Sequence, residues 1–130
     1  MKIKEVIATR RTIHDYLNQD FDFGWVEEAV TLALLAPNHR ASFPWVFYVL
    51  EAETKRSVIS LELELKSLDK KLSSAQTQLI EKKYRDPKVI MALGMKRTEN
   101  QQQSREDYAS IACGVQNISL FLWAKGIGCK

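Results

Sequence analysis

The sequence predicts a single globular domain of mixed helix and strand, and three observations carry that reading. The chain has 130 residues, 45% hydrophobic and 27% charged, which is the size and composition of one domain with a real core. Two short apolar runs, Trp45 to Leu50 and Lys88 to Met95, are separated by a long charged stretch of helical pattern. The last helical segment, 105–125, is apolar nearly all round, as a helix enclosed by a fold or by two subunits would be.

In order along the chain, Ile3, Val6 and Ile7 share one face of a first helix, Ile3 to about Thr9. Asp22 is a plausible N-cap for a second helix reaching Leu35, where Val26, Ala29, Val30, Ala33 and Leu34 recur at helical spacing. Pro37 cannot continue that helix, and a loop runs from it to Pro44. Trp45 to Leu50, aromatic and β-branched, reads as a strand covered on both faces. Glu51 to Asp86 is helical and ends at Pro87, and Val89-Ile90-Met91-Ala92-Leu93 forms the heart of a second buried strand. Ser104 with Asp107 resembles a capping box, and Gly126 suits a left-handed helix end. Between these caps Tyr108, Ile111, Ala112, Val115, Ile118 and Leu122 make one stripe, with Leu120, Phe121 and Ala124 opposite.

Several classes of function are excluded or disfavoured. The opening MKIKEVIATRR lacks the apolar run of an export signal, and the longest uncharged stretch, 109–124, is shorter than a spanning helix needs. A soluble, cytoplasmic protein with reduced thiols is expected. A net charge of +3 is too mild for a dedicated nucleic-acid binder, so neither nucleic acid nor membrane is an expected partner. Two histidines and two cysteines do not have metal-ligand spacing, so no metal is expected, and Cys113 on an apolar helix face reads as a packed thiol. No nucleophile elbow, Walker loop or G-x-G-x-x-G fingerprint occurs.

Three features invite a choice between readings. Arg10 and Arg11 beside Thr12 offer planar bidentate donors suited to phosphate, although by spacing alone they are also an ordinary solvated turn. His39 lies in a loop after an apolar helix, where ligand contacts concentrate, but a surface histidine is the plainer reading. Val58, Leu61, Leu65, Leu68, Leu72, Ala75 and Leu79 form a heptad seam that fits a short coiled coil or a helical hairpin binding a partner helix. Ser67, Ser73 and Ser74 interrupt it, which favours one or two amphipathic helices packed on the sheet.

Taken together, three segments resemble the nitroreductase family of flavin enzymes, with the resemblance running from Ile3 to Lys130. Arg10-Arg11-Thr12-Ile13-His14-Asp15-Tyr16 is similar to the family's opening Arg-Arg-Ser-x-Arg-x-Phe. Ala36-Pro37-Asn38-His39-Arg40, with Phe43-Pro44-Trp45-Val46-Phe47, resembles its Ala-Pro loop leading into Pro-Trp-x-Phe and a strand; the Pro-x-His pattern points to the compact bacterial branch. Glu106-Asp107-Tyr108 onward, with Ala112, Gly114, Gln116, Asn117 and Ala124-Lys125-Gly126-Ile127-Gly128, resembles its long central helix and the strand entry after it.

The resemblance implies an α+β nitroreductase-like fold, with a mixed, mainly antiparallel sheet flanked by helices and a long buried central helix. It also implies a cytoplasmic homodimer with FMN at the subunit interface and NADH or NADPH as electron donor. Arg10, Arg11 and Thr12 would hold the FMN phosphate and ribityl chain, with His14 in the same motif. His39, with Pro37 and Asn38, would reach the flavin of the partner subunit. Phe121, Leu122, Trp123, Ala124, Lys125 and Gly126 would lie on the nicotinamide side. A ping-pong transfer to a small acceptor of nitroaromatic, quinone or enone type is implied, with the chemistry on the flavin and no catalytic side chain required. Departures are His14 for the motif's third arginine, Phe43 where relatives often carry glutamine, and Leu35 where some carry arginine. Family members continue past Lys130 with further flavin contacts. The alternative expectation is therefore a shortened, non-enzymatic remnant of the fold that dimerises or binds a partner.

Overall fold

A computed structural model describes residues 2–130. Its elements run α1 (Ile3–Thr9), α2 (Gly24–Ala33), one 3₁₀ turn (His39–Ala41), β1 (Trp45–Val49), α3 (Ala52–Asp69), α4 (Ser74–Arg85), β2 (Met91–Met95) and α5 (Gln101–Ala124). The architecture is α+β. β1 and β2 pair as a two-stranded sheet. Lys96 N donates to Pro44 O and Leu50 N to Ile90 O, each at 2.8 Å, so the pairing is antiparallel. A separate parallel bridge joins Thr12 to Cys129. The chain divides into two compact units, Met1–His14 with Phe21–Phe47 and Leu93–Lys130, and Asp15–Asp20 with Tyr48–Ala92.

In the first unit α2 packs along α5, and small residues let them come close. Ala29 and Ala33 of α2 are fully buried. A β-carbon on Gly114 of α5 would stand 3.2 Å from the Ala33 carbonyl oxygen, tighter than ordinary van der Waals contact. Asn117 Nδ2 donates to Leu32 O at 3.1 Å and satisfies a carbonyl at the end of α2. Val6, Val26, Ile118 and Leu122 are also buried in this unit, each burial contributing about 1.5–3 kcal/mol.

Helix α5 begins earlier than its sequence suggests. Asn100, not Ser104, is the N-cap, its side-chain oxygen accepting from Gln103 N at 3.0 Å. Asp107 is therefore no part of a capping box and sits buried in the helix body. The helix is not buried all round. Asp107, Ser110, Gly114, Ile118 and Leu122 form the buried face, while Tyr108, Ala112, Cys113 and Val115 are exposed. Apolarity on both sides cannot distinguish a face covered within one chain from a face left for something else. The expected C-terminal signal holds: Gly126 has φ +80°, Gly126 N donates to Trp123 O, and Ile127 N donates to Leu122 O. These two bonds make a Schellman ending.

In the second unit α3 and α4 form a helical hairpin. Ser73 opens α4 by accepting from Gln76 N, while Gln76 Oε1 accepts from Ser73 N at 3.0 Å, a reciprocal capping box that breaks the heptad seam. Leu61, Leu65, Leu68 and Leu79 of that seam are exposed. Glu62 of α3 binds α4, accepting from Lys83 Nζ at 2.9 Å and from the Tyr84 hydroxyl, and pairs with Lys66 on its own helix. The Lys66, Lys83 and Tyr84 donors hold its carboxyl down at about 2. The strands are also less covered than expected, with Tyr48, Val49, Leu93 and Met95 exposed. A two-stranded ribbon has few neighbours to cover both faces.

Gly114→Val pushes a branched side chain against the α2 backbone, so the urea midpoint should fall by the equivalent of about 1–3 kcal/mol. Glu62 has its ordinary value, 4.5, when unfolded, so its contribution is complete above that pH and disappears as pH falls towards about 2. Glu62→Gln should therefore lower stability at pH 7 by roughly 1–2 kcal/mol, allowing for solvent screening, and the gap to the parent should close in melts near pH 2.

Candidate functional site

The loop between α2 and β1 has an unusual backbone. Helix α2 ends at Ala33, short of the expected Leu35, a turn leads to Pro37, and Pro44 is fully buried at the strand's start. Between them Arg40, Ala41 and Phe43 have φ of 58°, 50° and 46°, the left-handed region normally left to glycine. Each such residue costs on the order of 1–3 kcal/mol and persists only where its surroundings impose it.

The surroundings are a chain of polar side chains. Asn38 Oδ1 accepts from Phe43 N at 2.8 Å, and Asn38 Nδ2 donates to Ser42 Oγ at 2.9 Å. Ser42 Oγ donates to Asp107 Oδ1, which also accepts from Gln103 Nε2 at 2.8 Å. Asn38 Nδ2 also lies 3.4 Å from Ser110 Oγ, whose own hydroxyl donates to Glu106 O at 3.0 Å. The loop is thereby fastened to the first turns of α5.

Against α5 the loop walls an open cleft of about 430 Å³, lined by Pro37, Asn38, His39, Glu106, Ala109, Ser110 and Cys113. His39 is exposed, its Nε2 3.9 Å from Glu106 Oε2. Three expected site residues thus come together here, with Asn38 serving the loop itself. Of the further lining residues, Ser110 has no signal in the sequence, Glu106 figures there only in the central-helix segment, and Cys113 only as a packed thiol. Cys113 is exposed beside the cleft rather than packed, because it flanks the buried face of α5 instead of lying on it.

The other expected residues gather at the opposite end of α5. Arg11 Nη1 donates to Ala8 O at 3.0 Å and to Arg10 O at 2.8 Å, neutralising carbonyls where α1 ends. Ile13 N donates to Cys129 O at 2.9 Å, and a β-carbon on Gly128 would lie 2.5 Å from Ile13 Cγ1, so 128–129 packs tightly against this segment. Arg10 is half-buried, and Arg11, Thr12 and His14 are largely exposed. Burial pushes the Cys129 thiol above its ordinary value, with the Arg10 charge pulling the other way. Trp123 Nε1 donates to Thr9 Oγ1 at 3.0 Å, and the Lys125 ammonium stands 5.2 Å from the Phe121 ring and 5.4 Å from the Trp25 ring. Leu122, expected on a nicotinamide-facing surface, is turned into the core. It lies on the same helical face as Gly114 and Ile118.

The arginine set meets α5 near Trp123 and the histidine set near Glu106, which at 1.5 Å per residue puts them about 25 Å apart along the helix. Among the described residues, no group of three or more His, Cys, Asp or Glu could hold a metal ion, and no helix is long and apolar enough to cross a membrane.

Both sequence and structure resemble known proteins. The model of the family described as "Nitroreductase family" matches residues 7–129. YfhC of Bacillus subtilis (strain 168), provisionally named an NAD(P)H nitroreductase, is 26% identical over 129 residues, which cover 97% of this chain and 66% of YfhC. The chain thus spans just under two thirds of that relative's length. Among solved structures, a nitroreductase-like family protein from Bacillus cereus superposes with a TM-score of 0.84 at 22% identity, covering all of this chain and 68% of that one. A mutant of NfnB from Sphigopyxis sp. strain HMH, described as an FMN and NADPH-dependent nitroreductase, gives 0.77 at 15% identity, covering 99% of this chain and 73% of that one. At these identities the structures share the fold.

The strained loop makes its own prediction. Ala41→Gly removes a left-handed penalty of about 1–2 kcal/mol and adds a glycine entropy cost of about 0.5–1 kcal/mol, so the melting temperature should stay level or rise by a few degrees. Ala41→Val should lower it.

Proposed function

Because this chain belongs to the nitroreductase family, its match spanning residues 7–129, we propose that it binds FMN between two copies of itself and serves as a cytoplasmic NAD(P)H-dependent oxidoreductase for a small electron acceptor. The observation that carries the reading is the separation of the two residue sets along α5, about 25 Å. One FMN is too short to be held by Arg10 and His39 of the same chain across that distance. Two chains packed through α5 in opposite directions would bring the arginines of one beside the His39 loop of the other. The exposed Tyr108, Ala112 and Val115 on α5, with Ile3 and Ile7 on α1, are apolar surface of the kind such a pairing would cover.

The donor set suits a phosphate monoester. A guanidinium carries five N–H donors in a fixed fork, and both bonds of Arg11 to the α1 carbonyls come from Nη1. Among the described residues its Nη2 and Nε hydrogens make no further bond and would be left for an anion, with Arg10 and Thr12 as its neighbours along the chain. The parallel bridge from Thr12 to Cys129 fixes the backbone of this segment, so less ordering entropy would be lost on binding. His39 and Pro37 would stand against the flavin ring from the other subunit. Phe121, Trp123, Ala124, Lys125 and Gly126 would offer the nicotinamide an aromatic and cationic surface, with Leu122 packing beneath them.

When bound, FMN supplies hydride acceptance from the nicotinamide and onward delivery to a nitroaromatic, quinone or enone acceptor in a ping-pong sequence. The chain's part is to hold the phosphate, seat the ring in the cleft and exclude water at the subunit boundary.

The purified chain should be yellow, release FMN near one per subunit on denaturation, and sediment as a dimer. Charge-assisted hydrogen bonds contribute about 1.5–3 kcal/mol each, so Arg10→Ala with Arg11→Ala should weaken FMN binding on the order of 100-fold, read by flavin fluorescence titration. A double variant that binds FMN as tightly as the parent would overturn the phosphate assignment. A colourless dimer that fails to take up added FMN would overturn the enzymatic reading.

A further inference from the structure

Asp107 is a buried carboxylate that the reaction does not use. It is 3% exposed, and among the described residues it forms no ion pair; its donors are the neutral Ser42 hydroxyl and Gln103 amide. Burying a carboxylate is costly unless its oxygens find donors, which ties Asp107 to the groups that reach it, Ser42 and Gln103.

Its chemistry dictates a direction. An ionised carboxylate can only accept, so the Ser42 hydroxyl must spend its single hydrogen on Asp107. Ser42 Oγ can then only accept from Asn38, which turns the Asn38 amide so that Nδ2 faces Ser42. Asn38 Oδ1 is thereby aimed at Phe43 N, and this bond braces a residue at φ 46°. Every link depends on the one before, and the loop it closes carries His39 and two further left-handed residues, Arg40 and Ala41.

We propose that Asp107 is the positioning residue of the cleft: it sets the polarity of the relay Asp107–Ser42–Asn38–Phe43, and the relay holds the His39 loop in its left-handed conformation. The placement of that loop against flavin rests on the proposed function, whereas the relay itself stands on this chain's geometry. Ser42 and Gln103 both donate to the same Asp107 oxygen, Oδ1, so an asparagine could keep its carbonyl oxygen in that place, whereas a leucine of nearly the same shape offers no acceptor. The Ser42 hydroxyl could then turn to Asn38 Oδ1, the Asn38 amide would flip, and Phe43 N would face an NH₂ group instead of an oxygen. Asp107→Leu thus releases the far end of the relay without opening a cavity at its root.

The test is amide hydrogen exchange by NMR on the full chain as purified, with FMN titration beside it. Asp107→Leu and Ser42→Ala should speed exchange at Phe43 by about tenfold or more, shift the Asn38 side-chain amide resonances, and leave the Ile118 amide in the core unchanged. Both should weaken FMN binding about fivefold, while Ser42→Thr, which keeps the hydroxyl, should stay within about twofold of the parent in every readout. Asp107→Leu with Phe43 exchange and Asn38 resonances like the parent's would overturn the proposal. If Asp107→Leu also loosens Ile118, the Ser42 pair decides: Ser42→Ala behaving like Ser42→Thr would overturn it. If the parent takes up no FMN, the flavin reading falls, and Phe43 exchange still decides the relay.

Discussion

The close approach of α5 to the end of α2, where a β-carbon on Gly114 would crowd the Ala33 carbonyl, is the contact on which the functional half of the molecule depends. Helix α2 ends against Gly114, so the chain leaving it must run past the preceding turns of α5. Ser110 and Asp107 lie four and seven residues before Gly114, on the same helical face. They meet the departing loop as its first neighbours. Asn117, one turn beyond Gly114, caps α2 from the other side. Glycine is a poor residue for a helix interior, and here the close packing it permits outweighs the loss.

The loop shows how such a contact becomes a site. Its backbone holds three non-glycine residues in the left-handed region, which no local preference would select. The cost is met by a partly buried polar network rooted in the buried Asp107 and Ser110, at whose buried end hydrogen bonds are strong and unmade ones expensive. A loop held this way enters binding already ordered. His39 owes its place beside the cleft to bonds made by its neighbours, since its own ring contact with Glu106 is long, at 3.9 Å.

The geometry of α5 also bears on assembly. Its buried stripe fastens α2 and the loop, its outer stripe is apolar and exposed, and the two expected contact sets sit near its two ends. A site completed only across two copies ties cofactor retention to association, so FMN affinity and dimer affinity would be linked by mass action. The α3–α4 hairpin has a different character. Its clearest cross-helix bonds, from Glu62 to Lys83 and Tyr84, are polar, and its leucines at 61, 65, 68 and 79 are largely exposed.

Local chemistry made much of this legible in advance. The extent of α1, the break near Ser73 and the glycine ending of α5 come from propensity and capping, which act within a few residues. Membership of the family was legible in the order of the Arg10, Pro37 and Glu106 segments. The hidden part was long-range. Asp107 looked like a cap because a buried carboxylate and an N-terminal one have the same local pattern, and only the arrival of Ser42 from 65 residues away separates them. Cys113 looked packed because an apolar helix gives no sign of which face its own fold covers. By itself the sequence determined the kind and order of the elements and the family, since those depend on neighbours along the chain. Which face of α5 is buried, the left-handed loop, and the division of the expected residues between its two ends were decided by tertiary structure, because each depends on groups brought together only when α2 and α5 pack.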